Sequence, residues 1–125
     1  MIHHVSFGTS DAGRAQKFYD PVLAVLGIRR LNVRDGSVDY GVGTLLFSLE
    51  RPADGKPATV GNGSHVAFAA EDRAMVDAFY RTALANGGSD AGAPGLRPDY
   101  DDHYYGAFVF DPDGNKIEAV TLLSK

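Results

Sequence analysis

Two histidines, His4 and His65, occupy matching places in a chain that repeats itself at an offset of 61 residues. His4, Val5 and Phe7 recur as His65, Val66 and Phe68. Asp11 recurs as Asp72, Phe18-Tyr19 as Phe79-Tyr80, Leu23-Ala24 as Leu84-Ala85, and Gly27 as Gly88. One offset, held without a gap to the glycine, argues for two copies of one structural unit. Packing a core does not require a matched pair of histidines. Imidazole titrates near neutrality, moves protons and ligates metals, so this pair is the first candidate for chemistry. The second is the stretch Arg97-Pro-Asp-Tyr100-Asp-Asp-His103-Tyr104-Tyr105, which gathers three aromatic rings, a histidine and an arginine. As a lid, it would bring Arg97 to a substrate anion and His103 or a tyrosine hydroxyl to proton transfer. As a polar surface loop, its tyrosines would pack on a sheet edge. The residues leave both readings open.

The composition narrows the classes within which such chemistry can sit. At 125 residues and 44% apolar content the chain can bury one core, and two half-length units must share it. A net charge of −4 supplies no basic field, which argues against nucleic acid as a partner. With no cysteine, disulfides, thiolate metal sites and cysteine nucleophiles are excluded. No apolar run has membrane-spanning length, and Met1 leads straight into a strand-like segment without a signal-peptide pattern. The expectation is a cytoplasmic enzyme or binding protein acting on a small molecule, with no membrane partner.

These candidates need elements to position them. Residues 2–9 alternate as a strand, and Ser10 or Asp11 can cap the helix that follows. That helix carries Ala15, Phe18, Tyr19, Val22, Leu23 and Leu26 as one apolar stripe. Pro21 within it predicts a kink or a division, and Gly27 ends it. Strand-like segments follow at 28–33, 37–42 and 44–50, the first two joined by an Asp35-Gly36 turn. Residues 51–63 read as a linker, so the modules span about 1–51 and 63–125 of a single domain. In the second module Asp72 caps a helix with Val76, Phe79, Tyr80, Ala83 and Leu84 on one face. Residues 89–103 read as loop with room for one short strand. Strands at 104–110 and 116–123 flank the turn Asp111-Pro112-Asp113-Gly114-Asn115. On the opening strands Val5, Phe7, Val66 and Phe68 face the helices. The histidine faces carry only Ser6, Gly8, Ala67 and Ala69, which leave space for a cavity lined by imidazole. The same alternation puts only one of Tyr104 and Tyr105 on the cavity face and does not say which. Tyr105 is carried forward with His103 as a candidate catalytic residue, and Arg97, Tyr100 and Phe47 as candidate substrate contacts.

A repeated βαβββ unit with a histidine on each opening strand resembles the vicinal oxygen chelate superfamily, which includes glyoxalases, bleomycin- and fosfomycin-resistance proteins and extradiol dioxygenases. The resemblance rests on His4-Val-Ser-Phe through Asp11 and Phe18-Tyr19, on Gly63-Ser-His65-Val-Ala-Phe, and on Ala107-Phe-Val-Phe-Asp-Pro-Asp-Gly-Asn-Lys-Ile-Glu118. It implies an α+β fold of two paired βαβββ modules with curved mixed sheets. It also implies a divalent ion (zinc, manganese, nickel or iron) held by His4, His65 and Glu118, and a homodimer in which each site takes ligands from both subunits. Laying Leu46-Phe47-Ser48-Leu49 over Ile117-Glu118-Ala119-Val120 puts Phe47 in the slot where glyoxalase I proteins carry a fourth, acidic ligand. Two imidazoles with one carboxylate suit open-coordinate metals such as non-heme iron. The function implied is a metal-dependent glyoxalase- or dioxygenase-type enzyme that chelates vicinal oxygens of a small substrate. The alternative is a metal-free sequestering protein of the same fold.

Overall fold

The computed structural model describes residues 1–124. Each half runs strand, helix, three strands. The first has β1 (Val5–Gly8), α1 (Ala12–Val25), β2 (Arg29–Arg34), β3 (Ser37–Val42) and β4 (Thr44–Glu50). The second has β5 (His65–Ala69), α2 (Arg73–Ala85), β6 (Ser89–Leu96), β7 (Tyr105–Phe110) and β8 (Lys116–Thr121). The strand orders are β1-β4-β3-β2 and β5-β8-β7-β6. In each sheet the opening strand pairs in parallel with the last strand of its half, and the other pairings are antiparallel. This is the α+β fold of two βαβββ modules expected from the repeat.

Both helices begin as their sequences dictate. The carboxylate of Asp11 accepts from the Arg14 amide at 3.0 Å, and that of Asp72 from the Met75 amide at 2.8 Å, each satisfying a first-turn donor. The helices end alike, but not at the residues the offset matches. Gly27 takes φ +78° while Ile28 donates back to the Leu23 carbonyl. In the second module Gly87 takes φ +100° while Gly88 donates to the Ala83 carbonyl. One residue has therefore dropped out before the second cap, and Gly88 is not the counterpart of Gly27. Gly88 instead lies where a Cβ would come within 2.7 Å of Phe18. Pro21 does not divide α1, which continues through it with Phe18, Tyr19, Val22 and Leu23 buried on either side.

Phe18, Tyr19, Val22 and Leu23 from α1 and Val76, Phe79 and Ala83 from α2 pack with Val38, Tyr40, Phe47, Leu49, Val109 and Ile117 from the sheets into one core. The turn Asp111–Asn115 closes the β7–β8 hairpin as expected and also clasps the two halves together. The buried Asp111 carboxylate accepts from the Tyr19 hydroxyl at 2.6 Å. The Asp113 carboxylate accepts from the Thr9 hydroxyl at 2.6 Å, the Ser10 amide at 3.0 Å and Arg14 at 2.8 Å. Residues 89–96, in a stretch expected as loop with room for one short strand, form a strand of eight residues. Gly92, Pro94 and Gly95 mask its pattern, and it tolerates them because β6 is an edge strand with register shifts at Gly92.

Candidate functional site

The parallel β5–β8 ladder sets the site. Its register places His65 opposite Lys116 and Ala67 opposite Glu118. His65 and Glu118 therefore project from the sheet face away from the helices, and His65 Nε2 stands 3.0 Å from Glu118 Oε1. The Glu118 side chain is 1% exposed and that of His65 41%, so the imidazole screens the carboxylate from solvent. The other carboxylate oxygen, Oε2, accepts from the Tyr104 hydroxyl at 2.5 Å. Gly106 makes this contact possible, because a Cβ there would lie 2.9 Å from Glu118 Oε2 and 3.2 Å from Tyr104 Cε1. Burial, and then the bond to Glu118, push the Tyr104 phenol well above its ordinary range, so it remains a protonated donor. Tyr100 packs edge-on against Tyr104 with ring centroids 4.9 Å apart.

Beside this triad lies the buried ring of Phe108. His65 sits 5.9 Å from it, the Arg97 guanidinium 5.5 Å and the Lys116 ammonium 4.9 Å. Ala67 and Ala69 leave the adjoining face bare, as the sequence predicted. A cavity of about 560 Å³ opens next to His65 and Lys116, walled by Phe7 and Phe110 and by the glycine-rich segment 60–64.

The structure brings together His65, Glu118, Tyr100 and Arg97 from the sequence candidates and leaves out the others. Tyr105 is on the opposite face, where its hydroxyl donates to Asp77 of α2 at 2.6 Å and Arg73 lies 5.0 Å from its ring. The tyrosine at the site is Tyr104. Strand alternation had separated the two, but only the position of Glu118 could choose between them. His103 is exposed, and its recorded bond is made by its backbone amide to Asp101. Phe47 is a core residue, 1% exposed, packed against Phe7, Tyr19 and Phe68. Nor does it occupy the slot equivalent to Glu118. Val5 pairs with Phe47 as Val66 pairs with Ile117, so the counterpart of Glu118 is Ser48. Ser48 donates to Asp39 at 2.8 Å, and Arg34 reaches the same carboxylate oxygen at 2.8 Å. His4 precedes β1. Its Nδ1 lies 2.8 Å from that of His3, beside a separate cavity of about 450 Å³ lined by Leu46, Phe47 and Ala67. Among the described residues no three His, Cys, Asp or Glu side chains converge to hold a metal. One chain thus assembles two donors of the expected set of three. The sequence reading missed Phe108, Lys116 and Gly106. Knowing that Phe108 lies opposite Glu118 would have placed all three on one face.

The model of the Glyoxalase/Bleomycin resistance protein/Dioxygenase superfamily matches residues 1–119. The chain belongs to this superfamily. Among solved structures, a glyoxalase/bleomycin resistance protein from Albidiferax ferrireducens T118 shares 40% identity, with a TM-score of 0.88 over 96% of this chain and 97% of that one. Two more distant structures share the fold. Lactoylglutathione lyase from Agrobacterium tumefaciens is 24% identical, with a TM-score of 0.68 over 96% of this chain and 92% of the other. The fosfomycin resistance protein FosX from Mesorhizobium loti is 18% identical, with a TM-score of 0.69 over 97% and 91%. No curated protein matches the chain. No helix among the described residues is long and apolar enough to cross a membrane.

Proposed function

We propose that this superfamily member is a metal-dependent enzyme acting on a small molecule, with His65 and Glu118 as two of the ion's three protein ligands and His4 of a partner subunit as the third. The observation that carries the reading is Glu118. A carboxylate that is 1% exposed and held between an imidazole and a phenol, on the sheet face away from the helices, supports a site there, because buried ionisable groups with close partners concentrate where chemistry is done. The donor set suits a divalent ion, because imidazole nitrogen and carboxylate oxygen are ordinary ligands for zinc, manganese, nickel or iron. Such an ion, when bound, supplies Lewis-acid stabilisation of negative charge on vicinal substrate oxygens. The chain's own residues do the rest. Tyr104 orients Glu118 and holds a proton beside it, the buried Phe108 ring excludes water on one side, and His65 screens the carboxylate.

A second reading, metal-free sequestration of a small molecule, is favoured by a specific observation. Both oxygens of Glu118 already have partners, His65 on one and Tyr104 on the other. Elemental analysis of untagged protein after dialysis separates the two. The metalloenzyme reading expects bound zinc, manganese, nickel or iron, or thermal stabilisation on adding one of them, and loss of both in Glu118→Ala. Wild-type protein that neither retains nor responds to any of the four would overturn it in favour of sequestration.

A further inference from the structure

Three groups able to carry positive charge, His65, Arg97 and Lys116, surround one aromatic ring in a protein whose net charge is −4. No carboxylate answers the two permanent cations among the described residues. Among the described residues Arg97 makes no ion pair, and its side chain donates to the carbonyls of Ala93 at 2.8 Å and Leu96 at 3.3 Å. Lys116 likewise makes no ion pair or side-chain hydrogen bond with the described residues, and Glu118 is engaged by His65 and Tyr104. The position of Arg97 is built. A Cβ at Gly92 would meet its Nη2 at 3.3 Å and the Phe108 ring at 3.1 Å, and a Cβ at Gly95 would meet its Nη1 at 3.1 Å. Two bare glycines and two carbonyls thus fold the guanidinium back over Phe108 instead of letting it extend into solvent. A guanidinium has five N–H donors, so this arrangement leaves most of them for a ligand.

We propose that Arg97 and Lys116, flanking Phe108, form an oxyanion subsite, so that the substrate is a small organic anion, a carboxylate or a phosphoryl compound, with an apolar body. The body has a place: the cavity of about 560 Å³ beside His65 and Lys116 is walled by Phe7 and Phe110 and lies within the usual size range for small-ligand sites. The proposal rests on the reading of this sheet face as the ligand-binding surface, yet it concerns residues that take no part in holding the metal.

The test is calorimetric titration of untagged, metal-stripped protein with benzoate, with phenyl phosphate, and with benzamide as the neutral isostere of benzoate. Wild type is expected to bind at least one of the two anions at least tenfold more tightly than benzamide; whichever binds identifies the anionic group. Arg97→Gln and Lys116→Gln should each weaken that anion at least fivefold with an unchanged melting temperature. Glu118→Gln should keep or strengthen it. Binding of neither anion, equal binding of benzamide, or indifference to both cation substitutions would overturn the subsite. Metal retention, measured separately, stands or falls on Glu118. An absent subsite on a metal-binding protein and a present subsite on a metal-free one are therefore distinguishable results.

Discussion

Glu118 and Tyr104 form the tightest polar contact at the site, and its energetics follow from burial. Removing the phenolic hydroxyl leaves one oxygen of a nearly inaccessible carboxylate without a donor, a loss worth about 1–3 kcal/mol. Tyr104→Phe should therefore lower stability by about that amount in urea titration, even though the ring is kept. Gly106→Ala should also destabilise, because its Cβ would sit inside contact distance of both partners. The two effects share one contact, so they should not add. The double variant is expected to be less destabilised than the sum of the singles. Additivity within about 0.3 kcal/mol would show that Gly106 is not there to admit the Tyr104–Glu118 bond.

At the scale of elements, α1 is tied to the β7–β8 turn by the Tyr19–Asp111 bond at 2.6 Å, buried in the core. Burial, then the charge of Asp111, raise the Tyr19 phenol well above its usual range. The sign follows from proton counts. Above about pH 10 the unfolded phenol loses its proton while the folded one keeps it, so stability falls as pH rises. Tyr19→Phe should cost about 1–2 kcal/mol near neutrality, and its deficit against wild type should shrink above pH 10. A deficit constant to pH 11 in urea titrations would contradict this account. The same scale shows what the sequence could carry. The repeat, the helix caps and the alternation of Val5, Phe7, Val66 and Phe68 are local signals, and the fold followed from them. Two things were not local. β6 was hidden by Gly92, Pro94 and Gly95, whose acceptance depends on its edge position. The pairings of β1 with β4, of β5 with β8 and of β7 with β8 fix which residues share a face with Glu118, and no single strand encodes them. Hence Ser48, not Phe47, holds the counterpart slot, and Tyr104, not Tyr105, reaches the site.

At the scale of the molecule, one chain brings together two of the three proposed donors. His65 and Glu118 are joined, whereas His4 lies beside the other cavity, among exposed Ile2, Val42 and Leu46. Both opening strands, β1 and β5, are outer strands of their sheets with one side unpaired. A two-fold dimer answers both features, since each chain would offer His4 to the His65–Glu118 pair of the other and cover the apolar groove. Mixing variants tests this more sharply than mass alone. Neither His4→Ala nor Glu118→Ala protein should retain metal. Refolded together in equal amounts, they should form mixed dimers in which one site has lost both His4 and Glu118 and the other is intact. Random assembly makes half of the dimers mixed, so about a quarter of the wild-type metal content should return. Recovery near that fraction requires ligands from two chains. No recovery from a mixture that light scattering shows to be dimeric would place the complete ligand set, if one exists, inside a single chain and remove His4 from it.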